Sequence, residues 1–473
     1  MASTTIDTKL TIENVREQIV GIDKQVPLYN GTMVPYIFFD NGASTPILQP
    51  VLDKVNEFMS WYSSVHRGSG FKSQVASRAH EESRDIVANF VNACPEEDVI
   101  IFGKNATEAI NILAHCLNIQ RDKVILVSKM EHHSNDLPWR YGGKVVHVEL
   151  DDSGKMDLTD LKKKLEYYND RVALFAVSGA SNVSGWVNDI HTMAEMCHKY
   201  GVKIMVDAAQ MIPHRKIDML PHDDPRHIDF LAFSAHKIYA PLGAGVLIGP
   251  KKAFEENIPA TVGGGTVSVV SLDYTYWADA PEKEEAGSPN TAGIVALAKA
   301  LQVMDELGMD KVAAHEAHLT NYVLNKLKEF PEITIYGGDD PDDVEHRMGV
   351  ISFNVRGVPN ALTAAILNWE GGIGVRNGCF CAQPYMKHLL QCSDAEAKAM
   401  EEKIFTKNKI DLPGAVRASF GIYNTTEEID RFIDVLRTIV KREWKGDYEE
   451  DPASGDFHLK NSPVALDSFF TVV

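Results

Sequence analysis

No uninterrupted apolar run in the chain reaches the length of a bilayer-spanning helix, and the opening stretch MASTTIDTKLTIENVREQIV lacks the basic start and apolar core of a secretory signal. A cytoplasmic protein with no membrane partner is the expectation. Cysteine is scarce. Six of them (Cys94, Cys116, Cys197, Cys379, Cys381 and Cys392) among 473 residues are too few for a disulfide framework, so free thiols are expected. Positive charge is in deficit, with 47 Lys and Arg against 66 Asp and Glu and a formal net charge of −19. Nucleic acid would be repelled by such a surface. Internal repeats and low-complexity tracts are absent. The glycines at 263–265 and in LGAGVLIG do not form a GxGxxG opening a helix, which gives a dinucleotide site little weight.

What is present is an ordinary core-forming composition, 44% apolar over a chain long enough for two domains. Between about Asp98 and Pro250 short β-branched or aromatic runs (DVIIFG, KVILVS, KVVHVEL, RVALFAV, KIMVDA, DFLAFSA, GVLIG) alternate with helical patterns such as TEAINILAHCL and DIHTMAEMCHKYG. This predicts an α/β fold with a largely parallel sheet, and directs attention to the carboxyl ends of its strands. Beyond about Thr291 long amphipathic helices (AGIVALAKALQVMDELG, AHLTNYVLNKLKEF) lead into an α+β stretch with ITIYGG, MGVISFNV and EEIDRFIDVLRTIVKRE. The expected division is an N-terminal segment over 1–35, a large domain over 36–300, a smaller one over 301–445 and an acidic, loosely ordered tail over 446–473.

One residue is out of place in this pattern. Lys237 sits between two apolar runs, DFLAFSA and GVLIG, where burial penalises an ammonium unless its pKa falls or its amine is used covalently. Asp207 ends the preceding strand, KIMVDAAQ, and reads either as a helix cap or as a carboxylate held for a cationic heterocycle. An aldehyde cofactor such as pyridoxal phosphate joins the two: it would neutralise the lysine, and it needs an acidic partner at its ring nitrogen. Ser234 and His236 lie beside the lysine, and Gln210 can donate to the ring oxygen. Thr107 opens a helix, a plain cap or an anion site. His132 and His133 are either polar loop residues or an imidazole face against a flat ring. In VRNGCFCAQP the Cys379/Cys381 pair, without a second Cys or His pair, makes a poor metal site, so no metal is expected. It reads as two incidental thiols or as a mobile loop whose thiolate Arg376 would favour. Arg417, in VRASFGIYNT, is an edge-strand arginine or a bidentate partner for a substrate carboxylate.

Taken in order, FFDNGASTP, VHRGSG, ATEAINIL, MEHHSNDLPW, SNVSG, VDAAQ, FSAHKIYAPLGAGVLIG, EAGSPNT, VRNGCFCAQP and VRASFGIYNT resemble the class V aminotransferase-fold enzymes of the cysteine desulfurase/selenocysteine lyase group, in particular the SufS-like branch, from about Phe38 to Arg442. The resemblance implies the fold type I of pyridoxal-phosphate-dependent transferases, with a mostly parallel seven-stranded sheet in the large domain, a smaller α+β domain onto which the N-terminal segment packs, and a homodimer. It implies that Lys237 holds the cofactor covalently, that Asp207 faces its ring nitrogen and Gln210 its phenolic oxygen, and that His132 stacks on the ring. Thr107, Ser234 and His236 would bind the phosphate, and Ser288 would reach the partner's cofactor. Asn182 would touch ring and substrate, and Arg417 with Arg376 would hold the substrate carboxylate.

Cys381 would be the nucleophile that takes sulfur from L-cysteine as a persulfide, leaving alanine and passing the sulfur to an acceptor protein or small molecule. Cys379 stands where the nearest branch has a histidine-like residue, and would resolve the persulfide or form a reversible disulfide. The rival readings are another class V reaction (transamination, epimerisation or other C–S lysis) and a non-catalytic sulfur-relay protein.

Overall fold

The computed structural model describes residues 9–66 and 68–472. The first eight residues of the N-terminal segment, Arg67 of VHRGSG and the last residue of the tail lie outside that description. Each of the seven apolar runs forms a strand: β1 (Asp98–Gly103), β2 (Val124–Ser128), β3 (Lys144–Val148), β4 (Val172–Ser178), β5 (Lys203–Asp207), β6 (Phe230–Ser234) and β7 (Gly245–Pro250). They make one sheet in the order β1-β7-β6-β5-β4-β2-β3. Strands β2 to β6 are mutually parallel where they pair. Only β7 runs against its neighbours β6 and β1, because the short link 235–244 leaves no room for the crossover helix that a parallel return requires.

The runs are continuous rather than alternating because both faces of the sheet are covered. Ile100, Leu126, Phe175, Ile204 and Phe233 enter one core, and Ile101, Ile125, Leu174, Met205 and Ala232 enter the other. Helix α1 (Ala106–Cys116) packs on the second face through Ile110 and Leu113. Its start is fixed by Asn105, whose side chain accepts from the Glu108 amide at 3.0 Å. At Gly245 a Cβ would fall 2.4 Å from the Asn105 carbonyl carbon, so glycine alone lets β7 approach the mouth of this helix.

Helix α2 (Ile190–His198) follows β4 in the chain, and α3 (Thr291–Leu307) and α4 (Met309–Leu327) carry the chain to a second, antiparallel sheet. That sheet is built from β8 (Ile333–Tyr336), β9 (Val350–Val355), β10 (Arg376–Gly378) and β11 (Ala415–Ser419), ordered β8-β9-β11-β10. Helices α5 (Asn360–Gly371) and α6 (Thr426–Val440) cover it, with Leu319, Phe353, Ile366, Phe420 and Phe432 in the shared core.

The N-terminal segment touches both halves. Val15 and Ile19 enter the core of the large sheet, whereas Arg16 pairs with Glu428 at 2.7 Å and the Tyr29 amide donates to the Trp369 carbonyl at 2.7 Å. The final stretch is more ordered than its composition suggests. Tyr448–Glu450 and Phe457–Leu459 form a hairpin, and Glu370 of α5 anchors its approach by accepting from the amides of Lys445 and Gly446 at 2.7 and 2.8 Å. No helix among the described residues is long and apolar enough to cross a membrane.

Candidate active site

The carboxyl ends of β4, β5 and β6, the start of α1 and the loop after β10 enclose a cavity of about 270 Å³. Eleven of the residues singled out from the sequence line it: Thr107, His132, Asn182, Asp207, Gln210, Ser234, His236, Lys237, Arg376, Cys381 and Arg417. Ser288, His133 and Cys379 do not line it; Ser288 is exposed and lies outside this cavity of its own chain.

Lys237 ends a single tight turn, Ala235–Lys237, directly after β6. Burial drives its pKa down to about 8, against the opposing pull of Asp207. Asp207, at the end of the neighbouring β5, is only 5% exposed and accepts from the Ala209 amide at 3.0 Å. Burial raises its pKa in spite of that bond and of Lys237. A carboxylate in this position gains from a cation placed against it. Gln210 follows and donates to the Gly42 carbonyl at 2.5 Å.

At the opening of α1 the Ala106 amide donates to Ser234 Oγ at 2.7 Å, and the Thr107 and Ser134 hydroxyls are 2.6 Å apart. Hydroxyls gathered at a helix N-terminus are the type of donor that can receive an anion. His236 stands nearby with its pKa lowered to about 4 by burial and by Lys237. His132 is neutral for the same causes, burial first, with a pKa of about 4. Its Nδ1 accepts from the Ser134 amide at 3.1 Å, which leaves the proton on Nε2. Below it the buried Glu131 carboxylate accepts from Ser128 Oγ at 2.5 Å, Asn135 Nδ2 at 2.7 Å and both N and Oγ of Ser178 at 2.8 and 2.6 Å. These bonds tie the histidine segment to the end of β4.

The opposite wall comes from the smaller half. Arg417, 2% exposed in β11, donates to the Asn182 carbonyl at 3.0 Å and to Asp40 Oδ1 at 2.9 Å, while its Nε has no partner. Arg376 reaches the other Asp40 oxygen at 2.8 Å. Asp40, within FFDNGASTP, has no role legible in the sequence; nothing local marks it, since its meaning lies in two arginines more than three hundred positions away. Ser134 and Glu131 were missed likewise.

The loop after β10 places Phe380 and Cys381 in the left-handed region, with φ of 53° and 55°. Asn182 Nδ2 donates to the Phe380 carbonyl at 2.8 Å, the His133 amide donates to the Cys381 carbonyl at 2.7 Å, and the Arg417 guanidinium stacks 5.0 Å from the Phe380 ring. The loop is therefore held against the cavity, with the Cys381 side chain exposed at its rim. Cys379 turns away. Its thiol contacts the Pro413 carbonyl at 3.5 Å, and burial pushes its pKa up to about 11.

A family profile described as Aminotransferase class-V matches residues 37–432. A curated cysteine desulfurase of Haloferax volcanii is 34% identical over 435 residues, covering 89% of this chain and 94% of that protein. The cysteine desulfurase of Escherichia coli K12 is 32% identical over 439 residues, 91% of this chain and 98% of its own. The apo structure of a cysteine desulfurase from Thermococcus onnurineus superposes with a TM-score of 0.77 at 33% identity, covering 93% of this chain and all of that one.

Proposed function

The chain belongs to the class-V aminotransferase family, and on that premise we propose that it acts as a pyridoxal-phosphate-dependent cysteine desulfurase, converting L-cysteine to L-alanine and taking the sulfur onto Cys381. One observation carries the reading: Cys381 stands at the rim of the cavity that also holds the Lys237 amine and the Arg417 guanidinium.

The donor set fits the cofactor. Asp207 is a buried carboxylate whose raised pKa calls for a cationic partner, and a protonated pyridine ring is one. Thr107, Ser234, His236 and the start of α1 would hold the phosphate, Gln210 the phenolic oxygen, and His132 and Asn182 would flank the ring. Bound there, pyridoxal phosphate supplies an electron sink next to the substrate Cα.

The remaining chemistry belongs to the chain itself. Arg417, assisted by Arg376, binds the substrate carboxylate, and the unused Arg417 Nε is an available donor. Lys237 Nζ, kept easy to deprotonate by burial, removes the proton from Cα. Cys381 Sγ attacks the substrate sulfur: an S–S bond forms, the Cβ–S bond breaks, and its electron pair stays on carbon, which takes a proton to become the methyl of alanine. The persulfide then passes to an acceptor protein or small molecule.

The same proposal includes a homodimer. Ser288 lies outside its own cavity, and the hairpin of Val267–Val270 with Thr275–Trp277 exposes Val269, Val270, Leu272, Tyr274 and Tyr276, an apolar surface suited to a second copy. Six free thiols suit a reducing compartment such as the cytoplasm. Mass spectrometry after incubation with L-cysteine tests the reading: the peptide containing Cys381 should gain one sulfur atom, and a gain only at other cysteines contradicts it.

A further inference from the structure

At the opposite end of β6 from Lys237, three residues from separate segments converge. His198 is the last residue of α2, Asp229 immediately precedes β6, and His227 lies in the link between them. One ligand-type atom from each of the three lies within 4.8 Å of the others. His198 Nδ1 is 2.7 Å from the Pro225 carbonyl and its Nε2 is 2.8 Å from Asp229 Oδ2. A carbonyl only accepts, so Nδ1 carries a proton. The carboxylate also only accepts, so Nε2 must either carry a second proton or share a cation with Asp229.

His227 distinguishes the two. It is 6% exposed, its Nδ1 has no hydrogen-bond partner, and its Nε2 stands 3.5 Å from Asp229 Oδ1, long for a hydrogen bond. The Ile204 amide and His198 Nε2 both meet Asp229 Oδ2, which leaves Oδ1 and the facing His227 Nε2 without a short contact between them. A metal ion between the three would take that Nε2 and Oδ1 as ligands, and the carbonyl behind His198 is the outer partner that metal-bound histidines adopt.

We propose that His198, His227 and Asp229 bind one divalent transition-metal ion of the zinc type, water completing its coordination. Two imidazoles and a carboxylate are the donor set for such an ion, and each side chain lies outside the cavity of the desulfurase reaction. The ion is a structural clip. It fastens the segment between Asp218 and Asp229 to the end of α2 and to the start of the strand that carries Lys237. A second cluster, His66, His80 and Glu285, is excluded on charge: both Glu285 oxygens are taken by the Arg84 guanidinium at 2.8 and 2.7 Å, which would face the ion.

The test uses the full chain, stripped with a chelator, loaded with zinc chloride and desalted. Bound zinc is then counted in wild type and in the His198→Gln, His227→Gln and His66→Ala variants. The expected result is about one zinc per chain in wild type and His66→Ala, and a loss of at least about fivefold in the two Gln variants. Zinc should also raise the wild-type Tm reversibly, a readout that needs no substitution and stands even if a variant misfolds. Zinc-free wild type with an unchanged Tm overturns the proposal, as does equal retention by His227→Gln or a loss in His66→Ala. Desulfurase activity enters neither readout, so failure here leaves the proposed reaction untouched.

Discussion

Lys237 is the residue at which composition, burial and chemistry meet. Its pKa is lowered to about 8 from 10.5, so below that value the fold retains a proton that burial penalises, and the unfolded chain binds it more readily up to 10.5. In cofactor-free protein, stability from this group therefore rises as pH climbs through that window. Lys237→Met should stabilise the apo protein against urea at about pH 7 by up to roughly 3 kcal/mol, with the difference shrinking towards about pH 10; a constant difference would contradict the account. The lysine and Asp207 were legible in the sequence because a charge inside an apolar run stands out. Asp40, Ser134 and Glu131 were not, because each acquires its meaning only from partners that folding delivers.

The loop between β10 and Ala382 was legible as an element by its CFC spelling, but its geometry was not. The left-handed conformations of Phe380 and Cys381 are non-glycine and uncommon, and they are held by bonds from Asn182 and His133. Removing the first bond should loosen the loop that carries the proposed nucleophile, Cys381, while leaving Lys237 and Asp207 in place. Asn182→Ala is expected to lower kcat about tenfold or more in alanine-release assays while retaining bound pyridoxal phosphate, since misplacing a reacting group is costly; an unchanged kcat would show that the loop needs no such anchor. The strands were easier to read than this loop, since a run buried on both faces needs only apolar residues. The order of the final hairpin escaped the sequence because Glu370, which anchors it, lies in a helix far upstream.

At the scale of the molecule, the two halves are joined by charge as well as by apolar packing. Glu316 of α4, 4% exposed, accepts from Arg215 at 2.6 Å and lies 2.8 Å from His214 Nδ1, both in the segment following β5. Burial alone would raise its pKa; His214 and Arg215 outweigh it and bring the value down to about 2. A depressed carboxyl stabilises the fold above its unfolded pKa, near 4.5, and that contribution is lost as pH falls towards 2. Glu316→Gln should cost about 3 kcal/mol by leaving Arg215 underpaired, and calorimetry between about pH 5 and pH 7 should show a clear fall in Tm; an unchanged Tm would mean the joint is held by apolar contact alone. This joint could not be read in advance, because Glu316 sits in an ordinary amphipathic pattern.

The claim on which the rest depends is that Cys381 takes the sulfur, and single-turnover release of alanine from L-cysteine by pyridoxal-phosphate-loaded enzyme tests it most directly. Wild type should release about one alanine per active site, and Cys381→Ala should release almost none while keeping its bound cofactor. Equal alanine from both proteins would contradict the account, and would move the nucleophile away from the loop that the cavity brings to Lys237.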